Sequence, residues 1–84
     1  MGCRFFGIIV TIFNREHGIS HFHVKYGEYR GVFSIENLEM IEGFLPNRVI
    51  SLVLEWAFQH RKELKENWYL AQEFQPLKKI GPLE

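Results

Sequence analysis

The chain has 84 residues, of which 46% are hydrophobic and 15% aromatic, and its ten basic and ten acidic side chains cancel in charge. A chain of this length can build only one hydrophobic core, so we expect a single domain over residues 1–84. Balanced charge gives no general attraction to a phosphate backbone, and because every acidic residue is Glu, Asp-dependent triads and EF-hand loops are excluded. The lone cysteine, Cys3, cannot form an internal disulfide, which favours a cytoplasmic location.

Residues 5–13 form the first predicted strand, because they are mostly β-branched and aromatic. Both faces of the segment are apolar, which is typical of a strand covered on both sides. The run is far shorter than the roughly 20 apolar residues that a membrane helix needs, so we expect no membrane span and no membrane partner.

Residues 21–26 and 29–35 alternate in polarity on either side of a Gly-Glu pair, which predicts a β-hairpin with a type II′ turn. One face of this hairpin is aromatic and apolar, and the other carries His21, His23 and Lys25. The turn also fixes the register, which pairs Tyr26 with Tyr29, Val24 with Gly31, Phe22 with Phe33, His23 with Val32 and His21 with Ser34.

The rest of the chain predicts a short strand and a helix. Residues 36–44 favour a short strand over a loop with one helical turn, whereas apolar residues at helical spacing predict a helix over residues 47–74. Either Asn47 caps this helix or Pro46 lies in its first turn. A continuous helix of that length would span roughly 42 Å, so it either overhangs the domain or breaks, and the polar cluster at residues 60–63 is the expected break.

These elements predict an α+β fold, in which a small antiparallel sheet of three to four strands packs against one long C-terminal helix, continuous or broken. The apolar residues of the tail, Leu77, Ile80 and Leu83, are expected to anchor it to the domain. No glycine-rich phosphate loop, nucleophile elbow or paired-cysteine motif is present, so we expect no cofactor.

His21 and His23 are the candidate catalytic residues, because side chains two apart on a strand point the same way and imidazoles titrate near neutral pH. Lys25 and Arg30 are the candidate anion or ligand contacts. The same pair of imidazoles could begin a metal site if His17 and Glu28 joined it, but these sit in loop and turn positions, so we predict no metal. A polar strand face without chemistry is the simplest alternative.

The helix offers a second candidate surface. His60 and Trp56 lie on its apolar stripe, where core packing is the default. If the helix overhangs, its second half presents Leu64, Trp68 and Ala71 to a partner, and we predict these three residues as partner-binding.

Several segments together resemble a known family. They are His-Phe-His-Val-Lys-Tyr-Gly-Glu at residues 21–28, Leu-Val-Leu-Glu-Trp-Ala at 52–57 and His-Arg-Lys-Glu-Leu at 60–64. The chain resembles, over nearly its whole length, a family of small bacterial proteins known as a domain of unknown function. The resemblance implies a gene adjacent to a second small reading frame, in an arrangement similar to toxin–antitoxin pairs.

Three functional hypotheses follow. The first is a protein-binding component of a two-gene module, whose partner is a small protein encoded nearby or a second copy of this chain. The second is an endoribonuclease toxin in which His21 or His23 is the acid or base, with RNA as the partner. The third is a small metal-binding regulatory module. Whether the chain is an enzyme stays open at this level.

Overall fold

A computed structural model describes residues 2–84 as an α+β fold with one antiparallel sheet and two helices. The five strands lie side by side in chain order, so every strand pairs with its sequence neighbour. The strands are β1 (Gly2–Phe5), β2 (Ile8–Thr11), β3 (His21–Tyr26), β4 (Tyr29–Ser34) and β5 (Met40–Phe44), and the helices are α1 (Asn47–Gln59) and α2 (Arg61–Gln72).

The predicted first strand is wrong in two respects: it is two strands rather than one, and it is not covered on both sides, because Ile9 and Thr11 of β2 are partly exposed. A turn at Phe6 and Gly7 folds β1 back onto β2, with φ angles of 48° and 78°. Positive φ at both central residues is the signature of a type I′ hairpin. Asn-Gly is the usual pair in that turn, and a Phe-Gly pair within an apolar run gives little signal of it.

The β3–β4 hairpin is confirmed, and all five predicted residue pairs are present. Of the two central residues only Gly27 has a positive φ, 58°, as a type II′ turn requires. The short strand predicted within residues 36–44 is confirmed as β5. Together with the split first strand, it raises the sheet from the predicted three to four strands to five.

The predicted helix is broken at His60, inside the polar cluster where a break was expected. His60 has φ −117° and ψ 23°, and its amide donates to the carbonyls of both Trp56 and Ala57. Pro46, rather than Asn47, holds the N-cap position of α1. Within residues 2–84, neither helix combines the length and the apolar composition needed to cross a bilayer.

One face of the sheet holds the core. Phe22, Val24 and Phe33 project from its central strands and are buried together with Val53 and Trp56 of α1. Side chains alternate along a strand, so the opposite face of the same strands carries the polar residues.

The C-terminal tail belongs to this core. Ile80 is 2% exposed and Leu83 is 8% exposed, and the Trp56 indole donates to the Gly81 carbonyl at 2.8 Å. Leu64 and Ala71, which were predicted to face a partner, are fully buried. The break at His60 turns α2 back onto the domain, so these two side chains pack within the chain itself.

Candidate functional site

The sheet face opposite the helices, here called the open face, carries a basic row. The strand registers align one residue from each strand, in the order Arg4, Ile9, Lys25, Arg30 and Phe44. Directly opposite residues project on the same side of a sheet, so these five side chains share one face. Arg4, Lys25 and Arg30 are all exposed, and no carboxylate of residues 2–84 lies within ion-pair distance of them.

The next row of the open face carries the histidine. It runs Thr11, His23, Val32 and Glu42 across β2 to β5. Two shallow cavities of about 330 Å³ each lie along these rows and share His23, Val32 and Glu42. The Phe13 ring closes one side, with its centroid 4.9 Å from that of His23. The open face is therefore concave, part basic and part apolar.

Two imidazoles and one carboxylate converge at the end of this face. The His21 and His23 ring centroids are 5.2 Å apart. Both rings reach the same oxygen of Glu16, with His21 Nε2 at 3.2 Å and His23 Nε2 at 2.6 Å from Oε1. The other ring nitrogen of His21, Nδ1, donates to the Ile19 carbonyl at 2.7 Å. Each imidazole is thus held in place by a hydrogen bond.

The loop between β2 and β3 positions Glu16. Positive φ angles at Arg15 (49°) and Gly18 (94°) turn the backbone on both sides of this residue. The end of α2 holds the loop, because the Arg15 amide donates to the Ala71 carbonyl at 3.2 Å and Gln72 Nε2 donates to the Glu16 carbonyl at 3.2 Å. The backbone at Glu16 is therefore held by a contact with a helix residue 56 positions further along the chain.

Trp68 of α2 completes the surroundings of His21. The two ring centroids are 4.9 Å apart, and His21 is only 9% exposed. His23 is more accessible, with 31% of its side chain exposed. His23 is therefore the imidazole that a solute can reach, whereas His21 is a supporting group behind it.

The sequence predicted part of this cluster. The structure brings His21 and His23 together on one side of the strand, and it places Lys25 directly opposite Arg30. Glu16 was not predicted, and His17 and Glu28 were the groups expected to join the imidazoles. Glu16 joins them instead, while Glu28 lies in the turn at the far end of the hairpin. The available signal in the sequence was that Glu16 lies five residues before His21, with Gly18 between them to allow a turn.

Of the predicted helix residues, Trp68 contacts this cluster, whereas His60 lies apart from it. His60 is half-buried against Trp56, and its Nδ1 is 2.7 Å from Glu63 Oε1, so it combines packing at the edge of the core with a bond to a carboxylate. Trp68, unlike Leu64 and Ala71, keeps part of its surface accessible.

Comparison with known proteins places the chain in a family. No curated protein and no solved structure matches it. A family model described as a domain of unknown function, DUF4160, matches residues 7–69, a span that runs from the β1–β2 turn to the middle of α2 and includes Glu16, His21 and His23. The match covers three quarters of the chain, and the protein belongs to the DUF4160 family.

Proposed function

We propose that this protein is the binding component of a two-protein module of the toxin–antitoxin type, and that a small protein with an acidic, partly apolar segment binds the open face. The observation that carries the proposal is the pair Lys25 and Arg30. These two cations are directly opposite each other on neighbouring strands. Like charges in that position destabilise a sheet, and a carboxylate from a partner would remove the repulsion.

The rest of the open face fits the same partner. Arg4 adds a third cation to the row, two strands from Lys25. Ile9 and Val32 lie between and beside the cations and are partly exposed, and Phe44 at the sheet edge is 64% exposed. A surface that mixes unpaired cations with apolar and aromatic side chains is typical of protein interfaces, where Arg and aromatic residues carry much of the binding energy.

RNA is the less favoured partner. The chain has no net positive charge, so long-range attraction to a phosphate backbone is absent. The His21 ring is only 9% exposed, and its two nitrogens face the Ile19 carbonyl and the Glu16 carboxylate rather than solvent, so a substrate has little access to it. These observations support a binding protein over an endoribonuclease.

The test is a binding measurement between the purified chain and the product of the neighbouring gene. We expect a complex of defined stoichiometry, and we expect Lys25→Glu with Arg30→Glu to weaken it at least about tenfold, because each cation then repels the acidic segment. Both side chains are exposed, so the double variant should keep the parent's unfolding midpoint.

The matched control is Lys62→Glu with Lys65→Glu, which makes the same charge change on the exposed side of α2. Equal weakening by the two double variants would show a general charge effect and overturn the proposed interface. Absence of any complex between the parent chain and the neighbouring product would also overturn it. Cleavage of an RNA oligonucleotide that is lost in His23→Ala would replace the proposal with the nuclease hypothesis.

A further inference from the structure

Glu16, His21 and His23 form a cluster that the proposed interface does not use. One ligand-capable atom from each residue lies within 4.8 Å of the other two. The cluster opens on a cavity of about 330 Å³ that is also lined by Glu42. The side chains of Glu16 and His23 are each about 30% exposed, so a small solute can reach the cluster from solvent.

The hydrogen bond between His21 and the backbone determines what the other side of the ring can do. A carbonyl oxygen only accepts, so the Nδ1 atom that lies 2.7 Å from the Ile19 oxygen carries the proton. In the neutral ring Nε2 then has a lone pair, which is directed at Glu16 Oε1 only 3.2 Å away. A lone pair facing a carboxylate oxygen is repulsive, and either a proton on Nε2 or a metal ion between the two atoms removes the repulsion.

A metal ion is a cation that suits this arrangement. Metal-binding imidazoles commonly donate their second nitrogen to a backbone carbonyl, which fixes the tautomer and aims the free nitrogen at the ion. His21 has this arrangement, with Ile19 as the acceptor. Two imidazoles and one carboxylate are a ligand set that zinc takes in sites with one open position.

The distances are close to those of such a site. Ligand atoms about 2.0–2.1 Å from a tetrahedral ion stand about 3.3 Å from one another. The separation of His21 Nε2 from Glu16 Oε1 is 3.2 Å. His23 Nε2 and the same oxygen are 2.6 Å apart and would have to separate by less than about 1 Å, which rotation of a partly exposed carboxylate allows.

We propose that Glu16, His21 and His23 bind one divalent first-row transition metal ion, with Zn²⁺ as the best match, and leave its fourth position open toward the cavity beside Glu42. The site is independent of the proposed partner. The ion would lie at the end of the histidine row of the open face, where its fourth position is free for water or for a donor group from another molecule.

The experiment is calorimetric titration of the untagged full-length chain with Zn²⁺, supported by the visible absorption of Co²⁺ as a probe of four-coordinate geometry. We expect one ion per chain and intense cobalt bands. His23→Ala and Glu16→Gln should each weaken zinc binding at least about tenfold and remove the cobalt bands, because each removes a ligand.

His60→Gln is the matched control, because it also breaks a His–Glu pair, with 2.7 Å between His60 Nδ1 and Glu63 Oε1, but that pair has no second imidazole. It should bind zinc as the parent does. Because His23 is partly exposed, its variant is expected to fold, and a rise in melting temperature with Zn²⁺ should be seen for the parent and His60→Gln but not for His23→Ala.

Two results would overturn the site. One is the absence of one-equivalent zinc binding by the parent at micromolar protein concentration. The other is equal zinc affinity of His23→Ala and His60→Gln, which would show that the ion binds elsewhere.

Discussion

Gly43 lies where β5 closely approaches the backbone of β4. It lies in β5 directly opposite Gly31 of β4, with a φ of 92°. A Cβ atom at this position would overlap the carbonyl oxygen of Arg30 and lie 2.9 Å from the Gly31 Cα. Two constraints therefore require glycine here: the positive φ angle, and the lack of space for a Cβ atom.

A comparison of Gly18→Ala with Gly43→Ala separates the cost of backbone strain from the cost of steric overlap. Gly18 has nearly the same φ, 94°, but a Cβ there would meet nothing within 4 Å. We expect Gly18→Ala to cost about 1–2 kcal/mol from backbone strain alone. Gly43→Ala should cost roughly 2–5 kcal/mol, since overlap adds to strain. Urea unfolding of both variants measures the difference, and equal losses would show that β5 moves away freely.

At the scale of elements, Asn67 joins α2 to the C-terminal tail. Its side chain is fully buried and makes two hydrogen bonds to the backbone of Lys78. Nδ2 donates to the Lys78 carbonyl, and the Lys78 amide donates to Oδ1, each at 2.8 Å. This pairing satisfies the backbone of a segment that has no helix or strand of its own.

Asn67→Ala should therefore destabilise the protein by about 3 kcal/mol, because it removes two part-buried hydrogen bonds and leaves the Lys78 amide and carbonyl without their side-chain partner. Hydrogen exchange at the Lys78 amide should accelerate in the same variant. Lys78→Ala is the control, since it keeps both backbone hydrogen bonds and removes only an exposed ion pair with Glu66. If the two variants unfold at the same urea concentration, the tail is not held by Asn67.

The break between α1 and α2 changes where the residues predicted to bind a partner lie. A continuous helix would have carried Leu64, Trp68 and Ala71 past the domain, which was the basis for predicting a partner surface there. The bend at His60 instead buries Leu64 and Ala71, and it brings Trp68 against His21. Two of the three residues predicted to bind a partner are therefore inside the fold, whereas Phe44 on the open face is 64% exposed.

At the scale of the whole molecule, the first strand packs against the C-terminal tail. Cys3 of the first strand is buried, and its thiol lies 3.8 Å from the Gly81 carbonyl near the other end of the chain. Burial raises the pKa of the Cys3 thiol above its ordinary value of 9.0. A single side chain therefore reports on whether the two ends of the molecule remain packed.

This shift predicts how stability depends on pH. In the unfolded chain the thiol loses its proton at a lower pH than in the fold, so the folded state holds more protons above about pH 9. The contribution of Cys3 is complete below that pH and is lost as the pH rises through the folded pKa. Urea unfolding at about pH 7.5 and about pH 10 should show a steeper decline for the parent than for Cys3→Ala. Parallel declines would mean that the thiol is open to solvent.

The net charge of the whole molecule does not reveal its local charge distribution. The net charge is zero, yet three cations without an ion-pair partner among residues 2–84 share one row of the open face. The β3–β4 hairpin brings Lys25 and Arg30 together, whereas Arg4 joins their row only through the pairing of β1 with β2 and of β2 with β3.

The sequence by itself determined the features that depend on neighbours along the chain. A Gly-Glu turn and a two-residue alternation were enough to define the β3–β4 register and to place His21 and His23 on one side. A polar cluster likewise located the helix break at His60.

Only the tertiary structure decided the rest. The turn at Phe6 and Gly7 could not be recognised in the sequence, because its residues continue the apolar run. The position of Glu16 depends on contacts with α2. Lateral strand pairing and helix docking join residues far apart in sequence, and their register follows from the packing of the whole core and not from any local pattern. The histidine pair and the Lys25–Arg30 pair were therefore predictable from the sequence, whereas Glu16 and the addition of Arg4 to the basic row were not.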